Sequence, residues 1–311
     1  MRGGISMIQK VAILGAGAVG SYFISGLQEK LGDNLWVIAE GSRKERLGCE
    51  GITINQRKIA LNVKTPEEAH GVDLLLVAVK YGSLEGSLDA IERAVDKDTI
   101  VMSVMNGVDS EEVIGGRIGM DHMVFSMIKI ASERKAGMVT FDPSVTEGVY
   151  FGEADGRKSA RIDALAELFD GTGVKYHISE EIIRVIWLKY ALNISMNLPQ
   201  AIINCGLGAY NDSEYVMDIC RKLRQEVVNV AAAKGIDIAD ESVAGRSAAV
   251  WPKARFSTLQ DLDAGRHTEI DMFSGTLVRM GRELGVPTPY NELTYDIIKA
   301  LEEKNDGKFT Y

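Results

Sequence analysis

The chain has 311 residues, 46% of them hydrophobic and 25% charged, and a formal net charge of −9. That length suits two domains with cores of their own, and that balance excludes a disordered chain. An acidic chain without a Lys/Arg block is not expected to bind nucleic acid or an anionic membrane surface.

The opening MRGGISMIQK is too polar for the apolar core of a signal peptide, so residues 1–6 read as a loose tail before Met7, and the protein is expected in the cytoplasm. Next, Lys10 to Leu14 is an apolar strand that runs straight into GAGAVG, three glycines spaced G-x-G-x-x-G. Ala18 to Leu31 carries Val19, Phe23, Ile24 and Leu27 in the rhythm of an amphipathic helix that stops near Gly32. Leu35 to Ala39 is a second strand, ending about 20 residues past the third glycine, which completes one βαβ unit. In that setting the first glycine makes a tight turn, the second lets backbone approach a pyrophosphate, and the third lets helix and strand pack closely. The helix start adds unpaired N–H groups and partial positive charge. Gly15, Ala16, Gly17, Ala18, Val19 and Gly20 are therefore the candidate phosphate cradle.

Between Gly51 and Val63 the runs ITI and IALNV read as a hairpin insertion. Val72 to Val79 is a buried parallel strand; its segment Leu74 to Val79, six residues, is the longest wholly apolar run in the chain, far short of the roughly 20 that cross a bilayer. A helix over Ser83 to Ala94 and a strand over Thr99 to Met105 continue the alternation of a doubly wound sheet. Met123 to Gly152, rich in β-branched residues, reads as an antiparallel extension of it.

From Ser179 the pattern is helical throughout. In W187-LKYALNISMN-197, Lys189, Asn193 and Asn197 stand four apart and advance about 40° per step, one polar stripe on a helix whose neighbours Leu188, Ala191, Leu192, Ile194 and Met196 are apolar. The plain alternative is a solvated face. Asn is a weak helix former there, and buried polar groups need partners, so a ligand face is the better account. Later, FSTLQDLDAGRHTEID gathers Ser257, Asp261, Arg266, Glu269 and Asp271 around Gly265; Glu269 and Asp271 also suit the first turn of the following helix. Cys49, Cys205 and Cys220 are odd in number and share no C-x-x-C spacing, so neither a disulfide framework nor a metal site is expected, and they read as reduced core residues.

Taken together, GAGAVG, Val77-Ala-Val-Lys80, Met105-Asn106-Gly107, the Lys189/Asn193/Asn197 stripe and the Ser257-to-Asp271 cluster resemble the ketopantoate reductase family in order and spacing, from about Ile8 to about Pro289. No one of these motifs is specific; the set is. The resemblance implies that Lys189 is the general acid with Glu269 beside it in the catalytic group. Asn193, Asn197, Ser257 and Glu269 would hold substrate hydroxyl and carboxylate. Lys80 and Asn106 would stand on the cofactor side, Asn106 also reaching the substrate. Chemistry agrees: reducing a ketone by hydride transfer builds charge on the carbonyl oxygen, where a proton donor is needed, and burial can bring an ammonium toward neutrality. Hydroxyls, amides and one carboxylate suit a hydroxylated 2-oxo acid.

Two positions depart from the family pattern. Where members commonly carry Arg after the second strand for the 2′-phosphate of NADP, this chain has Glu40, the usual partner of an NAD ribose, followed by Arg43 and Lys44 as a candidate phosphate clamp. A further pocket Asn has only Asn204 as its nearest match. The expected fold is α/β: a Rossmann-type dinucleotide-binding domain over 1–178, then an all-helical substrate domain over 179–311. The expected function is NAD(P)H-dependent reduction of 2-dehydropantoate to pantoate in coenzyme A biosynthesis. The alternatives are a dehydrogenase of another 2-oxo or 2-hydroxy acid and a non-catalytic dinucleotide sensor. NADP is the family's cofactor and Glu40 speaks for NAD; the assembly, a homodimer among the options, is left open.

Overall fold

The computed structural model describes residues 7–130, 132–135, 138–239, 252–309 and 311; the tail read from residues 1–6 lies outside them. The chain divides into two compact units, Met1–Val185 and Ile186–Tyr311. The last strand ends just before Ser179, where the sequence changes character, and the division falls a little later, inside a helix.

Among the described residues the first unit holds twelve strands: β1 (Val11–Leu14), β2 (Leu35–Ile38), β3 (Ile52–Ile54), β4 (Arg57–Ile59), β5 (Asn62–Lys64), β6 (Leu74–Val77), β7 (Ile100–Ser103), β8 (Met123–Lys129), β9 (Ser132–Lys135), β10 (Met138–Phe141), β11 (Gly148–Gly152) and β12 (Tyr176–Ile178). The main sheet has the order β12-β11-β8-β7-β6-β1-β2-β5. From β5 to β8 every pairing is parallel, and β11 runs antiparallel to β8. Its helices are α1 (Ala18–Leu31), α2 (Gly41–Glu50), α3 (Leu88–Ala94), α4 (Ser110–Ile118) and α5 (Ala160–Phe169).

Side-chain alternation along the strands builds two cores. Val11, Ile13, Val37, Leu74 and Leu76 pack with Phe23 and Leu27 of α1 and Leu165 and Phe169 of α5. Ala12, Leu14, Ile38, Leu75 and Val77 pack on the other face with Leu88 and Ile91 of α3 and Ile114 of α4. Such strands are apolar on both faces because helices cover both, as the doubly wound reading requires.

Three local expectations need correction. The segment Gly51 to Val63 is split: β3 and β4 form a hairpin turned by Asn55 and Gln56, both at positive φ, whereas β5 joins the main sheet beside β2. Met123 to Gly152 is likewise divided, since β8 continues the parallel order, β11 alone extends it antiparallel, and β9 and β10 complete the small sheet β4-β3-β10-β9. The helix expected from Ser83 begins only at Leu88, after two single 3₁₀ turns; Gly82 and Gly86 weaken an α-helix there.

The second unit is helical: the remainder of α6 (Ile182–Ile203), then α7 (Ala209–Asp212), α8 (Glu214–Ala233), α9 (Ser257–Asp263), a π-helical turn over Asp271–Gly275, α10 (Thr276–Leu284) and α11 (Pro289–Asn305). Glu226, buried in α8, accepts from the backbone N–H groups of Tyr290 and Asn291 at 2.9 Å each and from the Asn291 amide at 2.7 Å. A buried carboxylate thus satisfies the free N–H groups at the start of α11. Among the described residues no helix is long and apolar enough to cross a membrane, and no cluster of His, Cys, Asp and Glu is placed to hold a metal ion. Of the three cysteines only Cys220 belongs to the core; Cys205 is half-buried and Cys49 is exposed on α2, whose buried face is limited to Leu47.

Candidate active site

The glycine turn between β1 and α1 gives each glycine a different reason to be glycine. Gly15 has φ +110°, and a Cβ there would stand 2.5 Å from the Ala78 carbonyl oxygen at the end of β6. A Cβ on Gly20 would stand 1.9 Å from the Gly15 carbonyl oxygen, so the third glycine is what lets the first turn of α1 pass this close to the strand. At Gly17 nothing lies within 4 Å of such an atom. The middle glycine therefore borders open space, and α1 begins on it without a side chain capping its N–H groups, the arrangement that accepts a pyrophosphate. Ala16 is buried beneath the turn, and Ala18 and Val19 are half-buried along it.

Because the strands are parallel, residues that follow them collect on one edge of the sheet. Gly15 follows β1, Glu40 follows β2, Lys80 follows β6 and Asn106 follows β7. This carboxyl edge is where open α/β sheets hold ligands. Lys80 is exposed, and Asn106 is half-buried in a loop bent by Gly107 at φ +101°.

Charge around Glu40 is organised differently from the simple clamp expected of Arg43 and Lys44. Glu40 accepts a bidentate fork from Arg93 of α3, at 3.2 and 3.0 Å, and Arg93 also bonds Glu67. Lys44 is occupied by Glu68 at 2.6 Å, and Arg43 is exposed. No local pattern points to Arg93, 53 residues from its partner.

Behind the Asn106 loop lies a buried polar chain. Ser103 and Ser110 share a hydrogen bond of 2.7 Å, the Ser110 hydroxyl donates to Glu111 at 2.8 Å, and the Ser126 N–H donates to the other Glu111 oxygen at 3.4 Å. Burial, the largest influence, pushes the Glu111 carboxyl up to about 7 against the hydrogen bonds it accepts, with nearby Asp109 adding in the same direction. Tyr81 fixes Asp109 with a 2.7 Å hydrogen bond.

In the second unit α6 carries the polar stripe as read: Lys189 and Asn193 are half-buried and Asn197 is 6% exposed. Leu192, expected among the buried neighbours, is instead 43% exposed. The same helix fixes the two segments that bear the other candidates. The Gln200 amide donates to the Ala254 carbonyl at 3.0 Å, and its oxygen accepts from the Phe256 N–H, which sets the start of α9 and with it Ser257, an exposed first-turn residue. Tyr190, packed edge-on against Trp187, donates its hydroxyl to the carbonyls of Met272 and Phe273 at 3.3 and 2.6 Å, one helical turn after half-buried Glu269.

The residue before Glu269 is held as well. Thr268 donates both its N–H and its hydroxyl to Glu302 of α11, at 2.7 Å each. The remaining acids of the cluster have structural partners: Asp261 accepts from Arg266 at 2.7 Å, and Asp271 from Tyr295 at 2.7 Å, with Lys299 at 3.4 Å. Asp271 thus serves the contact with α11 more than the capping role it shares with first-turn acids. Asn204, at φ +53°, bonds Arg255 through its side chain. Tyr190 lies in the polar-stripe segment and Gln200 just past it, in the last turn of α6, but only tertiary contacts give them roles; Glu302 lies 34 residues beyond Thr268 and carries no local signal.

The family profile described as ketopantoate reductase PanE/ApbA matches residues 11–156, and its C-terminal companion, ketopantoate reductase PanE/ApbA C terminal, matches residues 181–302. A 2-dehydropantoate 2-reductase of Pyrococcus horikoshii is 28% identical, over 96% of this chain and 99% of that protein. Among solved structures, a PanE/ApbA family ketopantoate reductase from Ralstonia eutropha superposes with a TM-score of 0.81 at 27% identity, covering 96% of this chain and 99% of that one. D-mandelate dehydrogenase with NADH and anilino(oxo)acetate does so with a TM-score of 0.83 at 25% identity, covering 96% and 99%. Profile matches spanning both units, together with the glycine cradle, place the chain in the ketopantoate reductase family of oxidoreductases.

Proposed function

We propose that the protein reduces 2-dehydropantoate to pantoate with a nicotinamide dinucleotide. The observation that carries this reading is the glycine turn: Gly15 and Gly20 are sterically required, while Gly17 opens onto free space beside an uncapped helix start. A dinucleotide bound there supplies the hydride. Gly15 to Gly20 hold its pyrophosphate, and Lys80 and Asn106, on the same sheet edge, serve the cofactor side, Asn106 also reaching the substrate. Lys189 delivers a proton to the carbonyl oxygen as charge builds on it. Asn193, Asn197, Ser257 and Glu269 bind the hydroxyl and carboxylate of the oxo acid, with Glu269 held beside the reacting centre. Amide and hydroxyl donors with one carboxylate acceptor match that substrate's groups.

The likeness to D-mandelate dehydrogenase favours a second reading, reduction of a different 2-oxo acid by the same machinery. Following oxidation of NADH and of NADPH at 340 nm with ketopantoate, and in parallel with aliphatic and aryl 2-oxo acids, separates the two. Turnover of ketopantoate above the others supports the first reading. Rapid turnover of another acid with none of ketopantoate establishes the second, and dinucleotide binding without turnover of any acid points to a sensor.

A further inference from the structure

The place that reads the adenosine ribose in a doubly wound sheet is the end of the second strand, where an acid bonds the 2′-hydroxyl and a base meets a 2′-phosphate. Here Glu40 occupies it, exposed at the start of α2. An acid alone would repel a 2′-phosphate. Glu40 is not alone: Arg93 engages both of its carboxylate oxygens.

Arg93 is built into this position. Its Nε donates to the Asp89 carbonyl at 3.2 Å within α3, and its fork lies between Glu40 and Glu67. Neighbouring cations are placed differently: Lys44 is engaged by Glu68, which is itself fixed by the Thr65 N–H at 2.7 Å, Lys64 lies over the Trp36 ring, and Arg43 is an exposed residue of α2. Arg93 is thus the cation in direct contact with the residue that reads the ribose.

We propose that Arg93 determines the choice between NADPH and NADH: by offsetting the charge of Glu40 and Glu67 it allows a 2′-phosphate beside them. Without it two carboxylates face that phosphate uncompensated. With Glu67 neutralised, Arg93 has one competitor fewer and NADPH gains. The inference rests on the dinucleotide reading above and adds the residue that sets its selectivity.

The test is a fluorescence titration of the unaltered protein and of Arg93→Gln, Arg93→Lys and Glu67→Gln with NADPH and with NADH, each variant's fold being checked by its melting curve. Arg93→Gln should shift the ratio of the two Kd values toward NADH by at least about tenfold, with the NADH value itself within about threefold of the original. Arg93→Lys, which keeps the charge but not the fork, should hold the ratio within about threefold, and Glu67→Gln should move it toward NADPH. A ratio unmoved in Arg93→Gln, in a protein that binds both dinucleotides, overturns the assignment to Arg93 and leaves the dinucleotide reading intact. Failure of the unaltered protein to bind either dinucleotide overturns both.

Discussion

The Tyr190 hydroxyl lies 2.6 Å from the Phe273 carbonyl oxygen, joining the helix that carries Lys189 to the segment that follows Glu269. Phe273 belongs to a π-helical turn, a local widening of the helix that is frequent at functional sites. Tyr190 is 1% exposed, so its hydroxyl and the carbonyls it serves are dry. Tyr190→Phe keeps the ring and removes one hydrogen bond, while the Phe273 carbonyl still accepts the Thr276 N–H, at a cost of about 0.5–1.5 kcal/mol. Urea unfolding should show that loss, and the KM for the oxo acid should rise as Glu269 loosens; a variant with unchanged stability and KM would show that this contact does not hold the segment.

Lys189→Ala should lower kcat by about 10²–10⁴, the usual worth of general acid catalysis, and leave dinucleotide affinity nearly intact, because the glycine turn belongs to the other unit. Asn193→Ala and Asn197→Ala should put more of their effect in KM for the oxo acid, since their hydrogen bonds are made before as well as in the transition state. Asn197, being buried, should lose stability too. Retention by Lys189→Ala of more than about half of the original kcat with saturating ketopantoate would leave the stripe as no more than a helix face.

The glycines of the turn should separate folding from binding. A methyl at Gly17 meets nothing within 4 Å, so Gly17→Ala should melt with the unaltered protein while its dinucleotide Kd rises at least about tenfold, the methyl now filling the cradle. Gly20→Ala drives a methyl to 1.9 Å from the Gly15 carbonyl oxygen and should lose stability as well as binding. Calorimetric melting and dinucleotide titration of both variants provide the check; equal affinity in Gly17→Ala and the unaltered protein would remove the pyrophosphate from that space.

Glu111 makes stability depend on pH in an unusual direction. Its carboxyl is raised from 4.5 to about 7 in the folded protein, chiefly by burial. The native state therefore holds the proton more tightly than the unfolded chain, and the stability this contributes is full below about pH 4.5 and is lost as pH rises to about 7 and beyond. Across that window the loss amounts to roughly 3 kcal/mol. Glu111→Gln stays neutral, and the Ser110 hydroxyl can turn to accept from its amide, so the variant should gain on the unaltered protein as pH rises from 5 to 8. Urea midpoints at the two pH values read this difference directly, and parallel curves would show that Glu111 does not titrate in this range.

Much of the first unit was legible because its signals are local. β1, the glycine turn and α1 occupy consecutive residues, and the buried apolar runs of β2, β6 and β7 mark the parallel strands that pair around β1. The polar stripe of α6 was equally visible, since spacing by four on a helix needs no knowledge of the rest of the chain. The segments Gly51 to Val63 and Met123 to Gly152 were less so: neighbouring short strands went to two different sheets, and only the partner strand decides which. The charge state around Glu40 and the anchoring of Glu269 were decided by tertiary structure alone. Arg93, Tyr190, Gln200 and Glu302 act through partners 53 to 83 residues away in three cases and 34 in the fourth, distances at which periodicity says nothing and only packing brings an ion or a hydroxyl to its acceptor.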